Sequence, residues 1–415
     1  MALVEIITIG DELLIGQVVD TNSAWIANHL NDIGIRVKQI SSVSDDSEHI
    51  INALNEATGR AEVIILTGGL GPTKDDITKK TLCTYFNTGV KFDEKSYEII
   101  KTLFASRGRE VTLINRKQAE VPKNCQVLLN KLGTAPGMWF EDKGKIVVSL
   151  PGVPAEMKGL MKAEVLPRLK EKFKLVPIVH RTILTQGIGE SFLAEKISDW
   201  EDRLPANMKF AYLPAAGTVR LRISAMGENE IELNKKVREE SAKLEKLISE
   251  FIYGYEDDKL ESIIGQLLLQ QKKTISTAES CTGGYIAHKI TSIPGSSEYY
   301  VGSLVGYANE MKIQELGVDM HTLEQFGAVS EQVVRTMVIS AMKKFKTDYA
   351  IACSGIAGPG GGTSEKPVGT VWIAVANFDK IITRKLQLGS YRERVIQETA
   401  NYSFNTLRKM LIGEL

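Results

Sequence analysis

A glycine-rich segment flanked by hydroxyls has the residue types of an anion-binding loop. The stretch TGGLGPTKDD follows an apolar run and contains Thr67, Gly68, Gly69, Gly71 and Thr73. Glycines let backbone N–H groups approach a phosphate closely, and the threonine hydroxyls add donors. It is not a Walker A loop, because no GK[ST] follows. The segment predicts a phosphate-binding loop, although glycines at strand ends are also often only turns.

Carboxylates accompany this loop. Asp75 and Asp76 end it, Asp45 follows another predicted strand, and Glu156 lies in a later helical stretch. Carboxylates repel a phosphate unless a divalent cation lies between them, so these four residues are predicted ligands of Mg²⁺ or a similar ion, direct or through water. The alternative is that Asp76, like Asp46, caps the N-terminus of a helix. Spacing alone does not decide between the two.

A second candidate site lies in ESCTGG, between a predicted strand and a predicted helix. Ser280 and Thr282 provide hydroxyls there, while Gly283 and Gly284 permit close backbone approach. A helix N-terminus with hydroxyls beside it suits either phosphate binding or stabilisation of an oxyanion. His288 is the histidine nearest in sequence, but it lies about two turns into the helix and is expected to face away. A Ser-His-Asp triad is therefore unsupported.

A lysine could replace histidine as the base for Ser280. Burial lowers the pKa of a lysine, and Lys312 ends the segment GSLVGYANEMK, five residues after Tyr307. These residues define a possible Ser–Lys–Tyr set. A lone lysine is most often a solvated surface charge, and a tyrosine is more often part of a core, so the residue types alone leave this set open.

Alternating strand and helix patterns predict how these motifs are positioned. The patterns indicate an α/β chain with two three-layer αβα domains and largely parallel sheets, over residues 1–170 and 256–415. A small α+β module, residues 171–255, joins them and has no recognisable chemistry of its own. Ligands on such sheets bind beyond the C-terminal ends of the strands, which is where both motifs fall.

Composition narrows the class of protein. Lys plus Arg equals Asp plus Glu at 51 each in 415 residues, so direct nucleic-acid binding is not expected. The chain has no signal-peptide pattern and no apolar stretch of about 18 residues, which predicts a cytoplasmic protein without a membrane span. The four cysteines form no CxxC motif, so a structural zinc site is not expected. The five histidines form no HExxH motif, so a zinc hydrolase is not expected either.

The N-terminal motifs resemble a known domain. GDELLIGQVVDTNSAWIANHL and LTGGLGPTKDDIT look like the molybdopterin-binding MoaB/MogA-type domain. NRKQAEVP, NKLGTAPGMWF and LPGVPAEMK are similar, more narrowly, to its version in the CinA family. That resemblance implies metal-dependent hydrolysis of the pyrophosphate of ADP-ribose.

The C-terminal motifs resemble the CinA C-terminal domain, a nicotinamide mononucleotide (NMN) amidohydrolase, over nearly all of residues 257–415. They are AESCTGG, PGSSEYYVGSLVGYANEMK, GAVSEQVV and SGIAGPGGGTSEKPVGTVWIA. The resemblance implies that Ser280 is the nucleophile, Lys312 the base and Tyr307 an aid to proton transfer or orientation, with no cofactor. The implied ligand contacts are Ser354 and Arg394. Further candidate ligand contacts are Thr282, Gly283 and Gly284 in the turn and Gly355 and Gly358 in the glycine-rich loop. Many relatives have threonine where this chain has Ser354, and the hydroxyl is kept.

Together the resemblances predict a homodimeric enzyme of pyridine nucleotide salvage with two active sites, one for NMN and one for ADP-ribose. Two alternatives remain open. One is a non-catalytic, partner-binding role connected with competence and DNA damage, and the other is an enzyme in which only one site works. Divalent-cation dependence would separate the two reactions, because only pyrophosphate cleavage should need the ion.

Overall fold

The computed structural model describes residues 3–415, which form two compact units. The first unit contains the chain up to Val179 together with Met226–Leu233. The second contains His180–Ala225 and Asn234–Leu415, so most of the small middle module belongs to the same unit as the C-terminal domain.

The first unit alternates strands and helices. Its elements are β1 (Leu3–Ile9), α1 (Asp11–Leu14), α2 (Thr21–Asp32), β2 (Arg36–Val43), α3 (Ser47–Arg60), β3 (Val63–Thr67), α4 (Thr78–Tyr85), β4 (Val90–Phe92), α5 (Glu94–Ala105), α6 (Leu113–Lys117), β5 (Glu120–Pro122), β6 (Gln126–Leu128), β7 (Gly137–Asp142), β8 (Lys145–Leu150), α7 (Pro154–Leu160) and α8 (Leu166–Lys172). A π-helical turn, Met161–Val165, joins α7 to α8. Asp20 caps α2, its carboxylate accepting from Ser23 N at 2.9 Å.

The main sheet of this unit has the order β2-β1-β3-β8-β7-β6. The pairs from β2 to β8 are parallel, whereas β7 and β6 add antiparallel strands at one side. Apolar residues of α2, α7 and α8 cover one face of the sheet, and those of α3 and α4 cover the other. Burial on both faces explains why β3 is a continuous apolar run rather than an alternating one.

The middle module is an α+β element. It comprises β9 (Ile178–Gln186), α9 (Glu190–Glu201), β10 (Met208–Ala215), β11 (Thr218–Met226), α10 (Glu230–Ile248), a 3₁₀ turn (Ser249–Phe251) and β12 (Ile252–Tyr255). Its sheet has the order β10-β11-β9-β12. The residues of β11 alternate between buried and partly exposed positions, as expected for a sheet with one face packed on the core.

The C-terminal domain is a second αβα structure. Its elements are α11 (Leu260–Gln271), β13 (Ile275–Glu279), α12 (Tyr285–Thr291), a 3₁₀ turn (Ser296–Glu298), β14 (Tyr300–Val305), α13 (Asn309–Leu316), α14 (Met320–Phe326), α15 (Glu331–Phe345), β15 (Tyr349–Gly355), β16 (Thr370–Ala376), β17 (Ile381–Gln387) and α16 (Arg392–Leu411). The sheet order is β14-β13-β15-β16-β17, with β13 parallel to both neighbours and β16 and β17 antiparallel. Apolar residues of α11, α12 and α16 cover one face, and those of α13 and α15 the other.

The predicted fold class is confirmed: both large domains have three αβα layers, and parallel strands form the centre of each sheet. The antiparallel strands at one side of each sheet are additional to the prediction. Within residues 3–415, no helix is both long and apolar enough to cross a membrane.

Candidate functional sites

The first candidate site is a cavity of about 350 Å³ at the C-terminal edge of the first sheet. Loops that follow β1, β2, β3 and β8 meet there because parallel strands all end at the same edge. Of the predicted residues, those that line the cavity are Asp45, Gly68, Gly69, Gly71, Asp75, Asp76 and Glu156. Glu12 adds another carboxylate from the loop after β1. The motifs that the sequence separates by more than 100 residues therefore form one site.

The electrostatic character of this cavity is strongly acidic. Five carboxylates line it, and its lining within residues 3–415 contains no lysine, arginine or histidine. Burial raises the pKa of Asp45, and the nearby charges of Asp11, Glu12 and Asp75 add to the rise. Burial also raises the pKa of Glu156, against the effect of a hydrogen bond from Asn130 Nδ2 at 2.7 Å. A cation would relieve this unbalanced negative charge.

The described residues do not, however, supply a complete set of metal ligands by themselves. Residues 3–415 contain no group of three or more His, Cys, Asp or Glu placed to hold a metal ion. Both oxygens of Asp76 accept hydrogen bonds from its own loop, from Gly71 N at 2.7 Å, Thr73 N at 2.8 Å and Thr73 Oγ1 at 2.5 Å. The donor set fits a divalent cation that shares its coordination with a ligand's oxygens, as Mg²⁺ does in many phosphate sites.

The helix-cap alternative holds for one aspartate and not for the other. Asp46 caps α3, accepting from the backbone N–H groups of Glu48 at 2.9 Å and His49 at 3.1 Å. Asp76 caps no helix, because α4 begins after Ile77 and has no side-chain cap. Its carboxylate instead closes the loop that carries Gly71 and Thr73.

Thr67 and Thr73, which were predicted to contact a phosphate, do not line the cavity and instead form hydrogen bonds within the protein. Thr67 is buried and donates to Pro151 O at 2.9 Å, which joins the end of β3 to the loop after β8. Thr73 is committed to Asp76. Gly68 has φ +121°, and a Cβ there would lie 2.1 Å from Ile9 O. Glycine is thus required by the approach of β1 to β3, whatever the ligand.

Gln118 is a residue that sequence reasoning missed at this site. Its side chain is buried, it lines the cavity, and its Oε1 has no hydrogen-bond partner among the described residues. A buried acceptor without a partner is costly, which favours a ligand hydroxyl or amine opposite it. The only signal in the sequence was its place in the motif NRKQAEVP.

The second candidate site is a pocket of about 290 Å³ in the C-terminal domain. Ser280 follows β13, Lys312 lies on α13, and Ser354 lies at the end of β15. Of the predicted residues, those that line the pocket are Ser280, Tyr307, Lys312, Ser354, Gly355 and Gly358. The structure thus places the predicted nucleophile, base and glycine-rich loop together.

Lys312 has the environment that a neutral amine requires. It is 2% exposed, and burial lowers its pKa. Its Nζ donates to Tyr307 O at 3.0 Å. No hydrogen bond joins Lys312 directly to Ser280 within the described residues, and such bonds often form only in the Michaelis complex. Ser280 and Lys312 both line the same small pocket, as a reaction that uses both groups requires.

The N-terminus of α12 is not free to bind an anion. The buried carboxylate of Glu279 accepts hydrogen bonds from three backbone N–H groups, those of Gly284 at 3.1 Å, Ile286 at 3.0 Å and Ala287 at 2.8 Å. It also accepts from Thr282 Oγ1 at 2.7 Å. The sequence left open that this helix terminus binds a phosphate or an oxyanion, and the contacts with Glu279 rule that out.

The turn residues that were predicted to contact the ligand therefore have a structural role instead. Thr282, Gly283 and Gly284 build the turn around Glu279 and do not line the pocket. His288 is exposed and also lies outside the pocket, as predicted. The fixed turn holds Ser280 at the pocket wall, where it is 7% exposed.

The arginine of this site is Arg392 and not Arg394. Arg392 lines the pocket, and its guanidinium donates to Gly358 O at 2.8 Å and to the hydroxyl oxygen of Tyr307 at 3.1 Å. Arg394 is mostly exposed and pairs with Glu398 at 2.7 Å along α16. Residues two positions apart on a helix point about 200° away from each other, so only one of them can face the pocket.

The remaining polar groups complete a cationic pocket. Ser354 is buried, and its hydroxyl donates to Ala328 O at 2.7 Å, which fixes it against the segment before α15. Arg392 supplies a positive charge, Lys312 is a buried amine with a lowered pKa, and the lining within residues 3–415 contains no aspartate or glutamate. The two cavities thus have opposite charge: the first is acidic and suits a metal-bound anion, while this one is basic and suits an anion directly.

Comparison with known families assigns all three parts of the chain. Residues 5–171 match the model of the probable molybdopterin binding domain, residues 180–254 that of the damage-inducible protein CinA KH domain, and residues 257–411 that of the CinA C-terminal domain. The fold and the two cavities therefore lie in a chain with the domain composition of CinA proteins.

Full-length relatives make the same assignment. The chain is 49% identical to a CinA-like protein of Cytophaga hutchinsonii, over 98% of this chain and 97% of that protein. It is 48% identical to a CinA-like protein of Flavobacterium psychrophilum, over 98% of each. A similar solved structure, competence/damage inducible protein CihA from Agrobacterium tumefaciens, is 36% identical over 36% of this chain and 94% of that chain, with a TM-score of 0.36. The chain belongs to the CinA family.

Proposed function

We propose that the C-terminal domain hydrolyses the carboxamide of NMN. The observation that carries this proposal is the combination, in one pocket, of Ser280 with the buried Lys312 and the cationic Arg392. A serine nucleophile needs a base, and a lysine with a lowered pKa can serve as one without histidine. The absence of carboxylates from the described lining favours a substrate with a negatively charged phosphate.

The proposed reaction uses only groups of this chain and water. Ser280 Oγ attacks the carboxamide carbon while the neutral amine of Lys312 accepts the hydroxyl proton. The C–N bond then breaks, and Lys312 returns the proton to the leaving nitrogen, which departs as ammonia. Water hydrolyses the ester on Ser280, and the product is nicotinate mononucleotide. No metal is needed for these steps.

Arg392 is proposed to bind the phosphate of NMN together with the glycine-rich loop that it holds at Gly358. Replacing Arg392 by alanine should raise KM for NMN about 10- to 100-fold, because a charge-assisted contact contributes about 1.5–3 kcal/mol. Steady-state kinetics on NMN measure this. Arg394→Ala is the matched control and should change KM less than about twofold, since Arg394 lies outside the pocket. Its partner Glu398 is buried, so a melting curve checks that this variant stays folded. Equal effects of the two substitutions would contradict the assignment.

We also propose that the N-terminal domain cleaves the pyrophosphate of ADP-ribose with a divalent cation, giving AMP and ribose 5-phosphate. The acidic cavity supports a cation shared between the protein and the pyrophosphate, which the carboxylates of Asp45 and Asp75 would help to hold. Such an ion supplies charge neutralisation to the phosphate oxygens. Gln118 would bind a hydroxyl or amine of the substrate through its unpaired Oε1.

The carboxylate of Asp45 provides a test of this second activity. Asp45→Asn should lower Mg²⁺-dependent cleavage of ADP-ribose by roughly 100-fold, because the ion loses a charged ligand. Because the pKa of Asp45 is raised, Mg²⁺ should also bind the unsubstituted protein more weakly as the pH falls through that raised pKa. Asp32→Asn, at an exposed position on α2, is the control and should behave as the parent protein. Full activity of Asp45→Asn would remove Asp45 from the site.

The two proposed reactions can be separated with one chelator. In EDTA, the full-length chain should convert NMN to nicotinate mononucleotide and ammonia in equal amounts, while ADP-ribose should stay intact until Mg²⁺ is restored. Nicotinamide riboside, which lacks the phosphate, should be a poor substrate for the amidase. Deamidation of NMN that depends on Mg²⁺ would contradict the serine mechanism, and no deamidation at all would contradict the proposed function.

A further inference from the structure

A third cavity lies in the second unit, where the end of β9 meets β17 and the second half of α16. Its volume is about 190 Å³. It lies outside both candidate active sites. One wall comes from the middle module, to which the sequence assigned no chemistry, and the opposite wall comes from the C-terminal domain.

Gln186 is the feature of this cavity that requires an explanation. The side chain is 2% exposed and lines the cavity, yet neither Oε1 nor Nε2 has a hydrogen-bond partner among the described residues. The preceding residue shows the usual arrangement, because Thr185 is equally buried and donates to Val219 O at 2.8 Å. Buried amides are rarely left without partners. A partner for Gln186 must offer both a donor and an acceptor, as a hydroxyl group does.

One positively charged side chain at this cavity has no negatively charged partner among residues 3–415. The side chain of Arg384, half-buried on β17, has no hydrogen bond or ion pair with any residue that the structure describes. Lys409 Nζ donates to Glu250 O at 3.0 Å and lies 3.8 Å from the carboxylate of Glu414. The carboxylate of Glu250 lies 3.5 Å from Lys196 Nζ. The lysines and glutamates thus balance each other, and the guanidinium of Arg384 is available for an anion.

We propose that this cavity binds a small sugar phosphate, with its phosphate on Arg384 and a sugar hydroxyl on the amide of Gln186. Guanidinium groups bind phosphate oxygens through paired N–H donors, which matches the free Arg384. A hydroxyl satisfies Nε2 as an acceptor or Oε1 as a donor, so adjacent sugar hydroxyls satisfy both atoms. Tyr402, also on the cavity wall, gives an apolar ring face for the sugar carbons to pack on. The cavity has more room than an inorganic phosphate alone would fill.

The test is calorimetric titration of the full-length chain with ribose 5-phosphate, beside inorganic phosphate and ribose. We expect saturable binding of ribose 5-phosphate and binding at least about tenfold weaker for each of the other two, because each lacks one of the two recognised groups. Equal affinity for inorganic phosphate would overturn the role of Gln186. Binding of none of the three up to millimolar concentration would overturn the proposal.

Two substitutions locate the binding to this cavity and not to either active site. Gln186→Leu removes the amide with little change of volume, and Arg384→Gln removes the charge; each should weaken ribose 5-phosphate binding about tenfold or more. Lys385→Gln, at the next and exposed position on β17, is the control and should bind as the parent chain. A melting curve for each variant checks folding, and Arg384→Gln keeps the test valid if Gln186→Leu folds poorly. Unchanged binding in Arg384→Gln would place the ligand elsewhere and reject the site.

Discussion

Replacement of Lys312 by methionine is expected to lower the turnover of NMN by about 10³-fold, because the neutral amine is the proposed base and general-base catalysis contributes about 10²–10⁴-fold. Methionine is close to lysine in length and apolar, so the buried position should accept it. In the unsubstituted chain, kcat should rise with pH through the lowered pKa of Lys312, since only the deprotonated amine accepts a proton. Initial rates across the pH range measure both effects.

Lys312→Arg distinguishes a base from a positive charge that only binds substrate. Arginine keeps the charge but stays protonated at all working pH values, so this variant should be as inactive as Lys312→Met. Lys343→Met, at an exposed position on α15, is the control and should leave kcat unchanged. Substantial activity in Lys312→Arg would show that charge, and not proton transfer, is what Lys312 provides.

Replacement of Glu279 by glutamine is expected to lower the free energy of unfolding of the C-terminal domain by about 3 kcal/mol, and to reduce NMN turnover with it. The carboxylate accepts four hydrogen bonds at the start of α12, and the amide of glutamine would direct N–H donors at backbone N–H groups. The turn that positions Ser280 should then loosen. Chemical denaturation and NMN kinetics on the same preparations measure the two losses.

The control for Glu279 is Glu298→Gln, an exposed glutamate in the same domain that should change stability by less than about 0.5 kcal/mol. Equal stability of Glu279→Gln and the parent chain would mean that the cap is not needed. Lost activity with unchanged stability would assign Glu279 a direct part in the reaction, contrary to the structural role inferred from its contacts.

The sequence predicted which residues of the proposed amidase pocket lie together where those residues are at the C-terminal ends of strands. Ser280 comes directly after β13, and Ser354 lies at the end of its parallel neighbour β15; parallel strands bring their C-terminal ends together. The sequence could not predict which face of α16 lines the pocket, because the start of the helix at Arg392 determines which arginine points inward. Glu279 gave no signal either, since it caps α12 from the preceding strand and not from the usual cap position.

The fold was predictable where burial on both faces produced continuous apolar runs, as in β3 and β15. The edge strand β17 was missed, because it mixes polar and apolar residues at partly exposed positions and gives no continuous apolar run. The third cavity could not be predicted from sequence at all. Gln186 and Arg384 lie almost 200 residues apart, and nothing in either local sequence indicates an unpaired group.

Ammonia release from NMN in EDTA, by the full-length chain and by Ser280→Ala, tests the central claim most directly. We predict release by the parent chain and a loss of at least about 10³-fold in a Ser280→Ala variant with an unchanged melting curve, because removal of a nucleophile abolishes the covalent route. Activity retained by Ser280→Ala would reject Ser280 as the nucleophile, and no release by the parent chain would contradict the proposed amidase.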